Sequence, residues 1–207
     1  MGLLQPHARH DRRFDGGEVV EVPLPGERGG SDAFGMQRPS TFTNVVVRRT
    51  ELADLPSLVE CLNPVFEERR FLAIVEALPP DEVIAYHRAN IEASHPHFVA
   101  MDGERVVGIC DVVPVAPPRI AAQVHNGTLG MLLAPEYRGA GLGERLMRAS
   151  VEACRGKFER VQLSVYSHNE RAHKLYLRCG FIEEGRRRGA WKLDGMTSDI
   201  IEMALFV

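Results

Sequence analysis

Apolar and polar positions fall into regular patterns from residue 45 to the end of the chain. Val45-Val46-Val47-Arg48 is a β-branched run that predicts a first strand. Asp54-Leu55-Pro56 reads as a helix start, since proline is tolerated in a first turn, and Leu58, Val59 and Leu62 continue it on one face. Pro79-Pro80-Asp81 opens a second helix carrying Val83, Ile84, His87 and Ile91. Two strands, from His97 to Met101 and from Val106 to Val113, flank the hairpin signal Asp102-Gly103. Residues 124 to 133 make a further strand. Leu142, Leu146, Ala149 and Ala153 then recur at helical spacing, so a helix runs from 141 to about 155. Val161, Leu163 and Val165 alternate as a strand does. Asn169 caps a last helix whose Ala172, Leu175, Tyr176 and Cys179 share a face, and Gly180 stops it. Two strands joined near Asp194-Gly195 close the chain, with Ile200, Ile201, Met203 and Leu205 on the second. This order is a mixed-sheet α/β arrangement, not a simple alternating doubly wound one.

Residues 1–43 are rich in Gly, Pro, Arg and Asp and hold no lasting apolar period, so they read as a tail ahead of a single domain at 44–207. Met36 stands just before that domain, which makes it an alternative natural start. Composition changes the picture little: 44% apolar and 26% charged residues are ordinary for a globular chain. A net charge of -3 gives no electrostatic case for nucleic acid as the partner. No apolar run is long enough for a membrane span and no signal-peptide core is visible, so the cytoplasm is the expected compartment. Cys61, Cys110, Cys154 and Cys179 form no C-x-x-C pair and sit beside apolar stretches, as reduced, partly buried thiols do.

Chemistry concentrates between Leu133 and Glu144, where a strand ends, a glycine-rich turn follows and an amphipathic helix begins. Glycines let a ligand approach the backbone closely, and the amides that open a helix are unpaired and lie at the positive end of its dipole. Together they make a pyrophosphate cradle, to which Arg138 adds a cation. The spacing Gly139-x-Gly141-x-Gly143 is not the G-x-G-x-x-G of a dinucleotide fold, and no Lys-Ser/Thr follows as in a Walker loop. Arg138-x-x-Gly141-x-Gly143 resembles the acetyl-CoA pyrophosphate motif of the GNAT N-acetyltransferases. A second match follows at the family's distance: Asn169-x-x-Ala172-x-x-Leu175-Tyr176-x-x-x-Gly180-Phe181. The resemblance covers residues 45 to 207, and Gly185-Arg186-Arg187-Arg188 with Asp194-Gly195 is similar to the phosphinothricin and L-amino-acid acetyltransferase branch.

The resemblance implies a central mixed, mostly antiparallel, twisted sheet of about seven strands flanked by about four helices and splayed between its fourth and fifth strands. It implies acetyl-CoA as co-substrate, no metal, and a homodimer. Backbone groups of Met131, Leu132 and Leu133 would pair with the pantetheine arm. Amides of Gly139, Ala140, Gly141, Leu142, Gly143 and Glu144 would hold the pyrophosphate. Asn169 would bond the pantetheine, and Tyr176 would protonate the leaving thiolate after a neutral amine attacks the thioester directly. The acceptor is a small-molecule amine, of the amino-acid kind; a protein N-terminus or lysine, and a non-catalytic acyl-CoA sensor, are the alternatives. Many relatives carry a carboxylate two residues before the glycine matching Gly130, where this chain has Thr128, so the base is open among His125, Glu67, Glu68 and Asp111. His95-Pro96-His97 lacks a third ligand at diagnostic spacing and reads as a loop entering the second strand; His168 and His173 read as surface residues, and Arg186 to Arg188 as a solvent-facing strand.

Overall fold

A computed structural model describes residues 44–74 and 76–207. The expectations for residues 1–43 lie outside these described residues. Strand β1 (Val46–Arg49) leads into α1 (Leu55–Glu67) and α2 (Pro80–Glu92), then β2 (His97–Asp102), β3 (Arg105–Pro114) and β4 (Asn126–Leu133). Helix α3 (Leu142–Glu152), β5 (Arg160–Tyr166), α4 (Glu170–Arg178), β6 (Ile182–Leu193) and β7 (Met196–Phe206) complete the chain. The order of elements is the one the hydrophobic pattern predicts. Helix α3 ends short of 155, because Ala153 and Cys154 tighten the last turn and Gly156 takes φ 75°. The β6–β7 turn has positive φ at both Asp194 (48°) and Gly195 (79°), the combination a two-residue hairpin of matching twist requires.

The strands form one seven-stranded sheet in the order β1-β2-β3-β4-β5-β7-β6. Every neighbouring pair is antiparallel except β4 and β5, which the α3 crossover makes parallel. Side-chain parity sorts the two faces. His97 on β2 bonds His87 on α2, so the face bearing His97 and its cross-strand partner Asp111 lies under α2. Gly108, of opposite parity on β3, comes within contact of Leu146 on α3, so that face lies under α3. The core between the layers is apolar: Leu58, Val99, Val106, Val107, Val112, Leu146, Met147 and Val161 are fully buried.

Parallel pairing of β4 with β5 is brief. It joins Asn126, Gly127 and Thr128 to Arg160, Val161 and Gln162 and goes no further, although β4 continues to Leu133 and β5 to Tyr166. Beyond Thr128 the two strands diverge, as the resemblance implied. A wedge opens in the middle of the sheet, and α3 and α4 start beside it.

Candidate active site

The edge of β4 along the wedge carries unused peptide groups. Ala134 donates its N–H to Val107, and the β3–β4 register is unbroken, so alternate residues back along β4 face β3. Leu129, Met131 and Leu133 therefore turn their peptide groups to the open side. Leu132 does not: its peptide group faces β3, so of the three residues expected to pair with a pantetheine arm, Met131 presents a free N–H and carbonyl and Leu133 a free N–H. The Leu133 carbonyl also accepts a bond from Arg138 Nε at 3.1 Å.

Past Leu133 the chain makes a single 3-10 turn, Pro135–Tyr137, and then the glycine-rich corner. Gly139 has φ 97° and Gly141, the N-cap of α3, has φ 78°, conformations that other residues rarely adopt. Among the described residues, nothing accepts the N–H of Gly139, Ala140, Gly141, Leu142 or Gly143. Gly139, Ala140 and Gly141 are exposed, so the amides form an open, positively polarised nest at the head of α3. Glu144 stands apart from the expected set. Its N–H bonds the Gly141 carbonyl at 3.1 Å and its carboxylate pairs with Arg148 at 2.7 Å. Gly143 is needed for packing: a Cβ there would lie 3.2 Å from Leu175 and 3.4 Å from Leu133, where α3, α4 and β4 meet.

Arg138 is committed elsewhere than the nest. Its guanidinium makes a bidentate pair with Glu68, at 2.7 and 2.8 Å, and lies 5.6 Å from the Phe71 ring centroid. That pair ties the end of α1 to the turn, and it engages Glu68, one of the residues considered as a base. The cation over the nest is instead Arg171 of α4, whose guanidinium stands 2.6 Å from the place a Gly139 Cβ would occupy. Nothing in the sequence spacing signals this, because Arg171 lies one helix and one strand beyond the turn it covers.

Helix α4 supplies the two remaining residues. Asn169 accepts the Ala172 N–H at 3.2 Å as N-cap, which leaves its amide NH2 for another partner. Tyr176 is buried, its ring 6.1 Å from Phe181, with the Cys110 and Cys179 thiols close by. Among the described residues no group bonds its hydroxyl. Burial raises its ionisation well above the ordinary phenol range, so it is a protonated donor at neutral pH. The thiols are raised for the same reason, Cys61 to about 11 and Cys154 to about 12, and all four are free.

On the α2 side of β4 lies a second polar group. His97 opens β2, as expected, and is buried. It bonds His87 (Nδ1 to Nε2, 2.9 Å) and Thr50 Oγ1 (2.7 Å). Desolvation lowers His87 to about 4 and His97 to about 3, so both imidazoles are neutral. Asp111 brings a carboxylate within 4.8 Å of this pair. The three donors have the composition of a metal-ligand set, but a proton already fills the space between the imidazoles, and one of the two facing nitrogens carries it. Of the other candidate bases, His125 is exposed in the turn before β4 and Glu67 is exposed on α1.

The segment after α1 and the β6–β7 hairpin meet across the open side of the sheet. Arg69 forms a bidentate pair with Asp194, both bonds 3.0 Å, and His168 Nε2 is 2.8 Å from the Arg70 carbonyl. His168 is half-buried rather than superficial: it stacks on Phe71 (6.0 Å) and Tyr166 (5.6 Å) and lies 4.8 Å from Trp191. His173 is likewise partly covered, bonded to Glu183 at 2.7 Å, whereas Arg186 to Arg188 are exposed as expected.

A family model described as acetyltransferase (GNAT) family matches residues 56–181. The N-alpha-acetyltransferase RimI of Mycobacterium tuberculosis is 33% identical over 113 residues, 54% of this chain and 67% of that protein. The spermidine N(1)-acetyltransferase of Vibrio cholerae is 22% identical over 121 residues, 57% of this chain and 67% of that protein. Among solved structures, a GNAT superfamily phosphinothricin acetyltransferase from Sinorhizobium meliloti in complex with acetyl-CoA superposes with a TM-score of 0.73 at 18% identity, over 80% of this chain and 89% of that one.

Proposed function

The chain belongs to the acetyltransferase (GNAT) family and is an acetyl-CoA-dependent N-acetyltransferase; from that premise we propose that it acetylates the primary amine of a small molecule of the amino-acid or amino-acid-like class. The observation that carries this choice of acceptor is the bridge across the open side of the sheet. The Arg69–Asp194 pair, the bond between His168 and the Arg70 carbonyl, and the Phe71–His168 stack join the two segments that would have to stand apart to admit a polypeptide. A groove closed in this way suits a compact amine.

In this reading the amides from Gly139 to Gly143, with Arg171 above them, hold the pyrophosphate of acetyl-CoA. The free edge of Met131 pairs with the pantetheine arm along the wedge, and the Asn169 amide bonds it from α4. An amide at the Leu133 end of that edge stabilises the oxyanion formed when the amine attacks the thioester carbonyl. As the carbon–sulfur bond breaks, Tyr176 gives its proton to the leaving thiolate. Arg138 serves by fixing the turn through Glu68 and the Leu133 carbonyl. The reaction belongs to the cytoplasm, where acetyl-CoA is made available and the four free cysteines stay reduced. A homodimer would cover Ile182 and Phe206 on the outer hairpin, which are 58% and 70% exposed.

A second reading, acetylation of a protein N-terminus, is favoured by the 33% identity to RimI. Competition separates the two. Wild-type protein is given acetyl-CoA with an equimolar mixture of free amino acids, methionine sulfoximine, phosphinothricin, spermidine and alanine-initiated hexapeptides, and the acetylated products are weighed by mass spectrometry. Acetylated small amines dominate if the bridge closes the groove; predominant acetylation of the peptides would replace this reading with the second.

A further inference from the structure

Asp111 lies in the middle of β3, opposite His97 on β2 and opposite Gly130 on β4. All three share the α2 face of the sheet. A Cβ built on Gly130 would stand 2.8 Å from Asp111 Oδ1. The carboxylate thus leans over β4 and fills the place that a β4 side chain would take. Thr128, two residues earlier, projects on the same face at the point where β4 leaves β5. Met131, with its peptide group on the open edge, is the next residue after Gly130. The absence of an ionisable group at Thr128 and the absence of any side chain at Gly130 are therefore answered by one carboxylate from the neighbouring strand.

Two further observations concern its surroundings. Asp111 is only 9% exposed, and no side chain among the described residues bonds it. Among the described residues, Asn90 Nδ2 and His168 Nδ1 are the side-chain polar atoms both sealed and unbonded; the Asp111 oxygens are not among them, and the residue keeps a small opening to solvent. The titratable groups facing it are Tyr86 and His87 from α2 and His97 from β2, while the neighbouring Cys110 lies on the opposite, α3 face with Tyr176. Strand β4 brings only Gly130 and Thr128, and no arginine or lysine offsets the charge. Burial pushes the carboxyl up to about 7, near neutrality, where a base is both free to accept a proton and strong enough to hold it.

We propose that Asp111 is the general base of the acetyl transfer, reaching over Gly130 to the acceptor amine from the α2 side of β4. This rests on the acetyl-transfer reading above. The carboxylate takes one proton from the acceptor ammonium and leaves the free amine. The amine nitrogen bonds to the thioester carbon, the carbon–sulfur bond breaks, and the thiolate takes the Tyr176 proton. The protonated amide returns a proton to the tyrosinate, and the proton on Asp111 passes to solvent, so one ammonium and one thioester give one amide, one thiol and one proton. His87 and His97, neutral and bonded to each other, hold α2 against the carboxylate without supplying a competing positive charge.

The test compares wild type, Asp111→Asn and Asp111→Asn/Thr128→Glu by amine-dependent thiol release between pH 5.5 and 10, using the best acceptor of the competition mixture. Acetyl-CoA affinity is measured by calorimetry as the check on folding. For Asp111→Asn the proposal expects kcat to fall by about 10²- to 10⁴-fold at neutral pH with acetyl-CoA affinity retained. The deficit shrinks as pH rises past the acceptor's own pKa, where free amine no longer needs a base. Thr128→Glu, returning a carboxylate to the same face, restores part of the rate. In wild type, carbon-13 labelling of aspartate finds one buried carboxyl titrating in step with the rise of activity near pH 7, a readout that needs no variant to fold. Full activity in Asp111→Asn, a deficit independent of pH, or an Asp111 titration unrelated to the activity profile overturns the base. A wild type that binds acetyl-CoA but releases thiol with no amine overturns the transfer reading itself, and the base with it.

Discussion

Tyr176 and the His87–His97 pair are both removed from water, and each takes the protonation state that burial favours. For the phenol this is the neutral, proton-bearing form, which a donor to a leaving thiolate requires. Tyr176→Phe keeps the ring against Phe181 and loses only the proton. We expect kcat to fall on the order of 10²-fold while acetyl-CoA binds with unchanged affinity; a parallel loss of affinity would mean the hydroxyl only holds the site together. For the histidines the neutral form links stability to pH. Their folded values, about 4 and about 3, lie below the ordinary 6.5, so the unfolded chain binds more protons as pH falls. The stability they contribute is present above 6.5 and is lost as pH falls from there towards 4. Asp111, raised to about 7, works in the opposite direction, since its contribution is lost as pH rises towards 7. Urea denaturation of Asp111→Asn removes the opposing carboxyl: stability drops on the order of 2 kcal/mol for each imidazole of the pair between about pH 7 and pH 4.5. Replacing His87 by Gln in that background flattens the slope, and a slope unchanged by that replacement would locate the acid sensitivity elsewhere. Tyr176 and Asn169 were legible from their motif. The pairing of His87 with His97, the lean of Asp111 over Gly130 and the covering of Gly139 by Arg171 were not. They depend on register between strands and on which helix lies over which face, and local spacing records neither.

The elements themselves were largely written in the hydrophobic pattern, because each buries one stripe or one face against the sheet. Their order and the Asp194-Gly195 turn follow the sequence closely, and the boundaries differ mainly where a cap or a tightened turn decides, as at Ala153. His97 opens β2 as the pattern predicts, since Phe98, Val99, Ala100 and Met101 behind it pair with both β1 and β3. The turn before α3 is where element and function coincide. A Cβ on Gly141 would meet nothing within 4 Å, so Gly141→Ala tests backbone conformation alone. At φ 78° the substitution costs about 1 kcal/mol and displaces the amides of the nest. The expected result is a raised KM for acetyl-CoA with kcat nearly preserved; a fall in kcat at unchanged KM would detach this turn from donor binding.

At the scale of the molecule, one interruption in one sheet organises the site. The short parallel pairing of β4 with β5 opens a wedge, with the glycine nest and Tyr176 on the side of α3 and α4 and Asp111 on the side of α2. Donor and acceptor can then meet through the sheet from opposite faces. In the proposed reading, the bridge between the segment after α1 and the β6–β7 hairpin is what selects the acceptor. Arg69→Ala removes its ion pair, and acetylation of alanine-initiated hexapeptides should rise relative to free amino acids; an unchanged ratio would show that the bridge does not select the acceptor. The fold joins these faces within 44–207, so a chain trimmed to those residues should retain its acetyl-CoA affinity.

Amine-dependent acetyl transfer, with Tyr176 giving its proton to the leaving thiolate, is read out by steady-state thiol release from acetyl-CoA. Wild-type protein and Tyr176→Phe are assayed with amino acids, phosphinothricin, methionine sulfoximine, polyamines and short peptides. Thiol release is expected with small primary amines, strongly reduced in Tyr176→Phe although acetyl-CoA still binds. Thiol release indifferent to the amine, or equal in the two proteins, would contradict it.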